Sequence, residues 1–191
     1  MGYPLGQFRL LAARNLEFER FRHTIGVEVL ACDLAGKYQI DPEAAALAAL
    51  THDMAKMYSL QDQMRKANEW GLIQYPDDLQ CPQVLHGRIA AYMLRNEHGI
   101  HDEDILNAVA NHTLGRPGMS NLEMLIYSAD LTEPSRSFHG VDKLRKKLYH
   151  DLKEGTLACV EHTLNYLRDS GKIIHQLTWL TYESLKNNGN D

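Results

Sequence analysis

Six side chains of metal-ligating type are spread along the chain: His23, the adjacent pair His52-Asp53, His86, His112 and Asp130. An imidazole and a carboxylate on consecutive residues can reach one cation where the backbone is a helix end or a turn. Neutral imidazole suits Zn, Fe, Ni or Cu and carboxylate tolerates harder ions, so the mixture favours a transition metal over calcium. A lone His-Asp pair arises by chance in many proteins. The weight comes from the other four residues, each of which falls in an expected helix or at its end.

The elements that must carry these groups read as helices. Residues from about Asn15 to Ala35 are expected as one long helix, ended near Gly36. Asp41-Pro42 offers an N-cap and a proline at the first helical position. The Ala-rich run Glu43 to Leu50 then delivers His52-Asp53 at its C-terminal end. Further helices are expected over Ser59 to Trp70 and Gln83 to His98, with Leu72 to Pro82 as loop. Asp102 caps the helix leading to His112, Asn121 caps one over Leu122 to Leu131, and Val141 to His150 and Asp151 to Asp169 supply two more. Only Lys172 to Leu177 has strand character. The fold class is therefore all-α.

Helical spacing shows where the ligand candidates point. His23 shares a stripe with Val27, Leu30 and Leu34, and His86 with Ala90 and Met93. His112 lies with Ile105, Ala108 and Val109, and Asp130 with Leu122, Ile126 and Tyr127. Such offsets belong to one helix face. Each polar group thus projects from an apolar, core-facing stripe. A buried carboxylate without a partner costs several kcal/mol. Taken alone, each histidine reads as a hydrogen-bonded core residue; taken together, the set is best explained by a shared cation.

Composition bounds the rest. With 191 residues, 44% hydrophobic and 24% charged, the chain is expected to form one soluble domain over 1–191. No apolar run approaches the ~20 residues that span a bilayer. The start of the chain lacks the pattern of a secretory signal, and Gly6 stands where a myristoylation signal wants Ser or Thr. Cys32, Cys81 and Cys159 form no CxxC pair and point to reduced thiols in a cytoplasm. A net charge of −5 argues against a nucleic-acid face, though a metal could concentrate enough positive charge to bind a polyphosphate.

The order H…HD…H…H…D on a helical chain resembles the HD-domain superfamily of metal-dependent phosphohydrolases. Longer strings tighten the likeness: Arg20 to Val27, His52-Asp53-Met54-Ala55-Lys56, His86-Gly87, His112 to Ser120 (HTLGRPGMS) and Ala129 to Arg136. In order, they span roughly residues 20 to 145 and are similar to the YqeK-type family of symmetrical diadenosine tetraphosphate hydrolases. The C-terminal tail departs from the family pattern: Ile174-His175-Gln176 lacks a proline after the histidine, and an Ala-Arg pair is missing after it. The resemblance implies an HD-domain helical bundle with the helices of 141–191 packed on the motif core. It also implies iron, with manganese or another transition metal as substitutes, and cleavage of diadenosine tetraphosphate into two ADP.

The chemistry suits the residues. A phosphoanhydride repels an anionic nucleophile, and a metal both lowers the pKa of bound water to about 7 and neutralises phosphate charge. His23, His52, Asp53 and Asp130 would hold a first metal. His86 and His112 have two readings: ligands of a second metal about 3.5–4 Å away with Asp53 bridging, or donors to phosphate oxygens. The second, with one iron, is the expectation. Asp53, His86 and His112 are the catalytic candidates. Arg20, Lys56, Arg136 and His175, with His86 and His112, are the substrate candidates. Arg116 could face substrate or merely shape the Gly-Pro turn. Glu133 could accept a proton, orient a ligand or be a structural partner. His98, His101, His139, His150 and His162 read as surface, and Arg145-Lys146-Lys147 as a solvated face. Trp70, Trp179 and Tyr166 read as core or interface. A dinucleoside polyphosphate or another nucleotide is the expected partner, with no nucleic acid and no membrane, and a homodimer is open. Two other classes remain: a different HD-type phosphohydrolase (a nucleotidase or triphosphohydrolase), and a non-catalytic nucleotide-binding module.

Overall fold

Short polar side chains start most of the helices that carry the site. Asp41 accepts from the Glu43 amide ahead of α3 (Pro42–Thr51), and Ser59 from the Asp62 amide ahead of α4 (Leu60–Glu69). Asp102 accepts from the Asp104 and Ile105 amides ahead of α7 (Glu103–Asn111). Each satisfies a backbone donor that the first helical turn leaves without a partner. The helix α8 (Asn121–Thr132) is capped by Ser120 rather than Asn121, in a reciprocal box with Glu123.

The computed structural model describes residues 2–187. Among the described residues there are eleven α-helices and no strand. Besides those named, they are α1 (Leu5–Asn15), α2 (Phe18–Tyr38), α5 (Asp77–Gln80), α6 (His86–His98), α9 (Val141–His150), α10 (Leu152–Asp169) and α11 (Gln176–Asn187). Four further sequence expectations are corrected. Gly36 does not end the long helix, which runs on to Tyr38 and stops where Gln39 turns left-handed at φ 55. Residues 5–15 form a helix with no counterpart in the sequence reading. The expected loop over 72–82 contains α5. Of the segment read as strand, Lys172 to Leu177, the last two residues already belong to α11. Of the expected domain span 1–191, Met1 and residues 188–191 lie outside the described residues.

The centre of the bundle is α3. Every residue from Ala44 to Thr51 is buried, which suits a helix apolar all round. Its small side chains let α2 lie along it, with α7 and α8 on other sides and α1 against its outer flank. The helix α6 pairs with α7, α10 packs on α8 and α9, and α11 packs on α10. The expected stripes are all buried: Val27, Leu34, Ala90, Ile105, Val109, Leu122 and Ile126 sit at 0–2% exposure. No helix among the described residues is long and apolar enough to cross a membrane.

Candidate metal and phosphate site

Five helices end, begin or pass at one point inside this bundle. His52 is the residue that closes α3, and Asp53 follows in a turn, so both face the same way off a helix end. His86 opens α6, His112 closes α7, His23 comes from the middle of α2 and Asp130 from α8. Close packing requires glycine beside them. A Cβ on Gly87 would stand 2.8 Å from the Ala110 carbonyl oxygen and 2.9 Å from that of Val109, so only glycine lets α6 bring His86 against His112.

One ring nitrogen of each histidine is already committed. Nδ1 of His52, His86 and His112 lies 2.7 Å from the carbonyl oxygens of Ala49, Gln83 and Val109 respectively. Nδ1 of His23 lies 3.1 Å from Glu133 Oε1. A carbonyl or carboxylate oxygen only accepts, so each Nδ1 carries the proton. In the neutral rings, every Nε2 then presents a lone pair, and all four point at the same centre.

The oxygens there face both ways. Asp53 Oδ1 is 3.1 Å from His86 Nε2 and 3.8 Å from His112 Nε2. Its Oδ2 is 3.5 Å from His52 Nε2 and 4.0 Å from His23 Nε2. Asp130 Oδ1 is 2.9 Å from His23 Nε2 and 4.0 Å from His52 Nε2. His86 Nε2 and His112 Nε2 stand 2.9 Å apart, two lone pairs in opposition unless a cation or a proton lies between them. Nε2 of His23 and of His52 is buried without a hydrogen-bond partner. Buried polar atoms left in this way call for an explanation. Two groups, His23 with His52 and Asp130, and His52 with Asp53 and His112, each bring their ligand atoms within 4.8 Å of one another. The donor set fits a transition metal.

Charges already feel the arrangement. Burial opposes ionisation of Asp53 and of Asp130, yet the facing imidazoles hold both carboxyls below their usual range. Burial also disfavours a charged His52, but Asp53 beside it prevails and pushes its pKa up. For His112, burial and the neighbouring His86 act together and lower it to about 3.

The expected cations surround this centre. Arg20 Nη1 donates to Asp53 Oδ2 at 2.8 Å and Arg136 Nη2 to Asp130 Oδ1 at 3.3 Å, while both side chains stay about 40% exposed, at 41% and 39%. Each guanidinium thus holds a carboxylate and keeps other N–H groups for a ligand. Lys56 is half-buried, and that burial lowers its pKa against the pull of Asp53. Thr113 was not singled out from sequence; its hydroxyl lies 3.2 Å from His112 Nε2 and 3.4 Å from His86 Nε2.

Other residues are placed differently from the sequence reading. His175 is 2% exposed, with Nε2 donating to Asp78 at 3.1 Å and Nδ1 accepting from the Leu177 amide. With both nitrogens engaged it has none left for a substrate. Arg116 grips buried Glu123 through two bonds of 2.6 and 2.7 Å, which ties the Gly-Pro turn to the start of α8. Glu133 supports His23 from behind. Arg145 is no solvated residue: it donates to the carbonyls of Thr132, Glu133 and Arg136, clasping the loop after Asp130. His162 is half-buried and stacked on Phe138. Arg116 and Glu123 are 7 positions apart and His175 and Asp78 are 97, and no periodic signal announces either pair.

The HD domain family model matches residues 20–135. A symmetrical bis(5'-nucleosyl)-tetraphosphatase of Halalkalibacterium halodurans is 38% identical over 185 residues, covering 94% of this chain and 96% of that one. The enzyme of the same name from Bacillus subtilis is 37% identical, covering 90% and 92%. A crystal structure from Clostridium acetobutylicum, described as a predicted HD superfamily hydrolase involved in NAD metabolism, superposes with a TM-score of 0.92 at 34% identity, covering 98% and 100%.

Proposed function

The chain belongs to the HD domain family, among relatives that are symmetrical bis(5'-nucleosyl)-tetraphosphatases, and from that premise we propose that it hydrolyses diadenosine tetraphosphate to two ADP. The observation that carries the chemistry is the convergence of four Nε2 lone pairs and two carboxylates on one buried centre. His23, His52, Asp130 and Asp53 Oδ2 would hold one cation, and Asp53 Oδ1, His86 and His112 a second. Iron is the cation we infer, in keeping with the mixed nitrogen and oxygen donors. When bound, such cations lower the pKa of water toward neutrality and neutralise phosphate charge.

The two-cation arrangement is favoured over phosphate-facing histidines by the tautomers. A neutral ring whose Nδ1–H is given to a backbone carbonyl offers only an acceptor at Nε2, and phosphate oxygens are acceptors too. Binding of the polyphosphate falls instead to the exposed N–H groups of Arg20 and Arg136, the Lys56 ammonium and the Thr113 hydroxyl. Arginine's fork matches two phosphate oxygens, while lysine acts as a point charge. Donors fixed before the reaction stabilise the charge that develops as a diphosphate departs. We take the motif-bearing helices and α9–α11 as one domain serving this single site.

Hydrolysis of diadenosine tetraphosphate in oxygen-18 water tests the reading. The expected result is label in ADP, with no AMP or ATP at early times. Equal early amounts of AMP and ATP would mean asymmetrical attack, and orthophosphate or tripolyphosphate would point to another phosphohydrolase reaction; either would overturn the proposal.

A further inference from the structure

A cavity of about 430 Å³ opens beside the ligand cluster, between α8, α10 and the loop that joins α8 to α9. Its inner end is made by His112, Thr113 and Asp130, with Arg136 at the side. A molecule whose phosphates meet the metal centre can therefore extend its other end into this space. The outer wall is aromatic and uncharged. Phe138 and His162 stack with ring centroids 4.5 Å apart and planes 24° from parallel, Tyr166 stands 53% exposed, and Leu131 and Leu167 complete the lining. The volume lies in the range of small-molecule sites.

Two features narrow the occupant. The only carboxylate and the only guanidinium in the lining, Asp130 and Arg136, belong to the inner end, so the outer end suits an uncharged ring. Burial also lowers the pKa of His162, which keeps the stacked pair neutral. A second cavity, on the far side of Phe138 and Arg136, is different in kind, lined by Arg20, Arg22, Glu19 and Glu133.

We propose that the aromatic cavity seats one nucleobase of the substrate, with the Phe138–His162 pair as its stacking platform. The inference rests on the nucleotide-hydrolase reading above and adds which residues read the nucleoside. Base-on-aromatic stacking is worth roughly 5–150-fold in affinity.

The test is calorimetric titration of metal-loaded protein with ADP and, separately, with inorganic pyrophosphate, which carries the phosphates without the base. Wild-type protein should bind ADP at least about fivefold more tightly than pyrophosphate. Phe138→Leu, which keeps bulk and removes the π face, and His162→Ala should each weaken ADP about fivefold or more. Pyrophosphate should stay within about twofold, and Phe138→Tyr should retain the preference. Unchanged ADP affinity in a folded Phe138→Leu protein overturns the platform. Equal loss for both ligands overturns it too, by assigning Phe138 to the phosphate end. Wild-type binding of pyrophosphate but no preference for ADP refutes the nucleobase seat while leaving the hydrolase reading intact. Wild-type binding of neither removes the hydrolase reading and the inference with it.

Discussion

Replacing Glu133 with alanine tests how far the metal centre depends on the group behind His23. Glu133 is 1% exposed, and its carboxylate accepts from His23 Nδ1 at 3.1 Å, the Ser135 amide at 2.6 Å and the Ser135 hydroxyl at 2.5 Å. Truncation removes the acceptor that keeps the His23 proton on Nδ1, so the ring becomes free to change tautomer and to rotate. Loss of such an outer partner costs roughly 10–100-fold in metal affinity, or about 1.4–2.8 kcal/mol. The donors left behind also cost stability, roughly 1–3 kcal/mol. Chelator competition on the loaded protein reads the first effect, and urea unfolding of metal-free protein reads the second. Glu133→Gln keeps an oxygen for His23 and gives up the charge, so it should fall between. Gly26→Ala reaches the same end by another route, because a Cβ there would collide with Glu133 Oε2. A folded Glu133→Ala protein that holds metal with wild-type affinity would refute the reasoning, since ring orientation could not then be what Glu133 supplies.

His52→Ala or Asp53→Ala should abolish hydrolysis and strip most bound metal while far-ultraviolet circular dichroism keeps its helical signal; full turnover at equal metal loading would end the metal-hydrolase reading. His86→Ala and His112→Ala should each lower turnover strongly and reduce metal content from about two per chain to about one, measured by elemental analysis; unchanged content would return both histidines to the phosphate. Acid sensitivity should trace in part to Asp78, where burial opposes ionisation but Arg88 at 2.6 Å and the Gln74 and Tyr75 amides hold the pKa down. A depressed folded-state pKa gives stabilisation that is full above about pH 4 and is lost as pH falls through the folded value. Urea midpoints should thus decline from about pH 6 to about pH 3, less steeply in Asp78→Asn, and equal slopes would clear Asp78 of that role.

What the sequence disclosed was whatever repeats locally. The stripe through His23, Val27, Leu30 and Leu34 is a matter of helical period, and the caps at Asp41 and Asp102 are set by neighbours two or three residues away. What it hid was set by distant partners. Gly36 reads as a stop, but α2 continues because Tyr38 reaches across to donate to the Leu148 carbonyl. Ile173 and Ile174 suggest a strand, yet the chain turns into α11, which is docked by Thr181 donating to the Leu114 carbonyl. His175 carried a family expectation of substrate contact. Its true neighbour, Asp78, lies 97 positions earlier in a stretch read as loop. The stacking of Phe138 on His162 was equally invisible, since neither residue has a partner within reach of any periodicity.

Three of the four imidazoles take their tautomer from the main chain, each from the carbonyl three residues earlier: Ala49, Gln83 and Val109. A carbonyl survives every exchange of its own side chain. Sequence drift at those three positions can alter packing without disturbing the proton on His52, His86 or His112. His23 has no such insurance, because its acceptor is a side chain 110 residues away, and that side chain needs Gly26 to make room. The heritable fragility of the centre is therefore uneven. Random mutation will find its weakest point at Glu133 and Gly26, two residues that coordinate nothing.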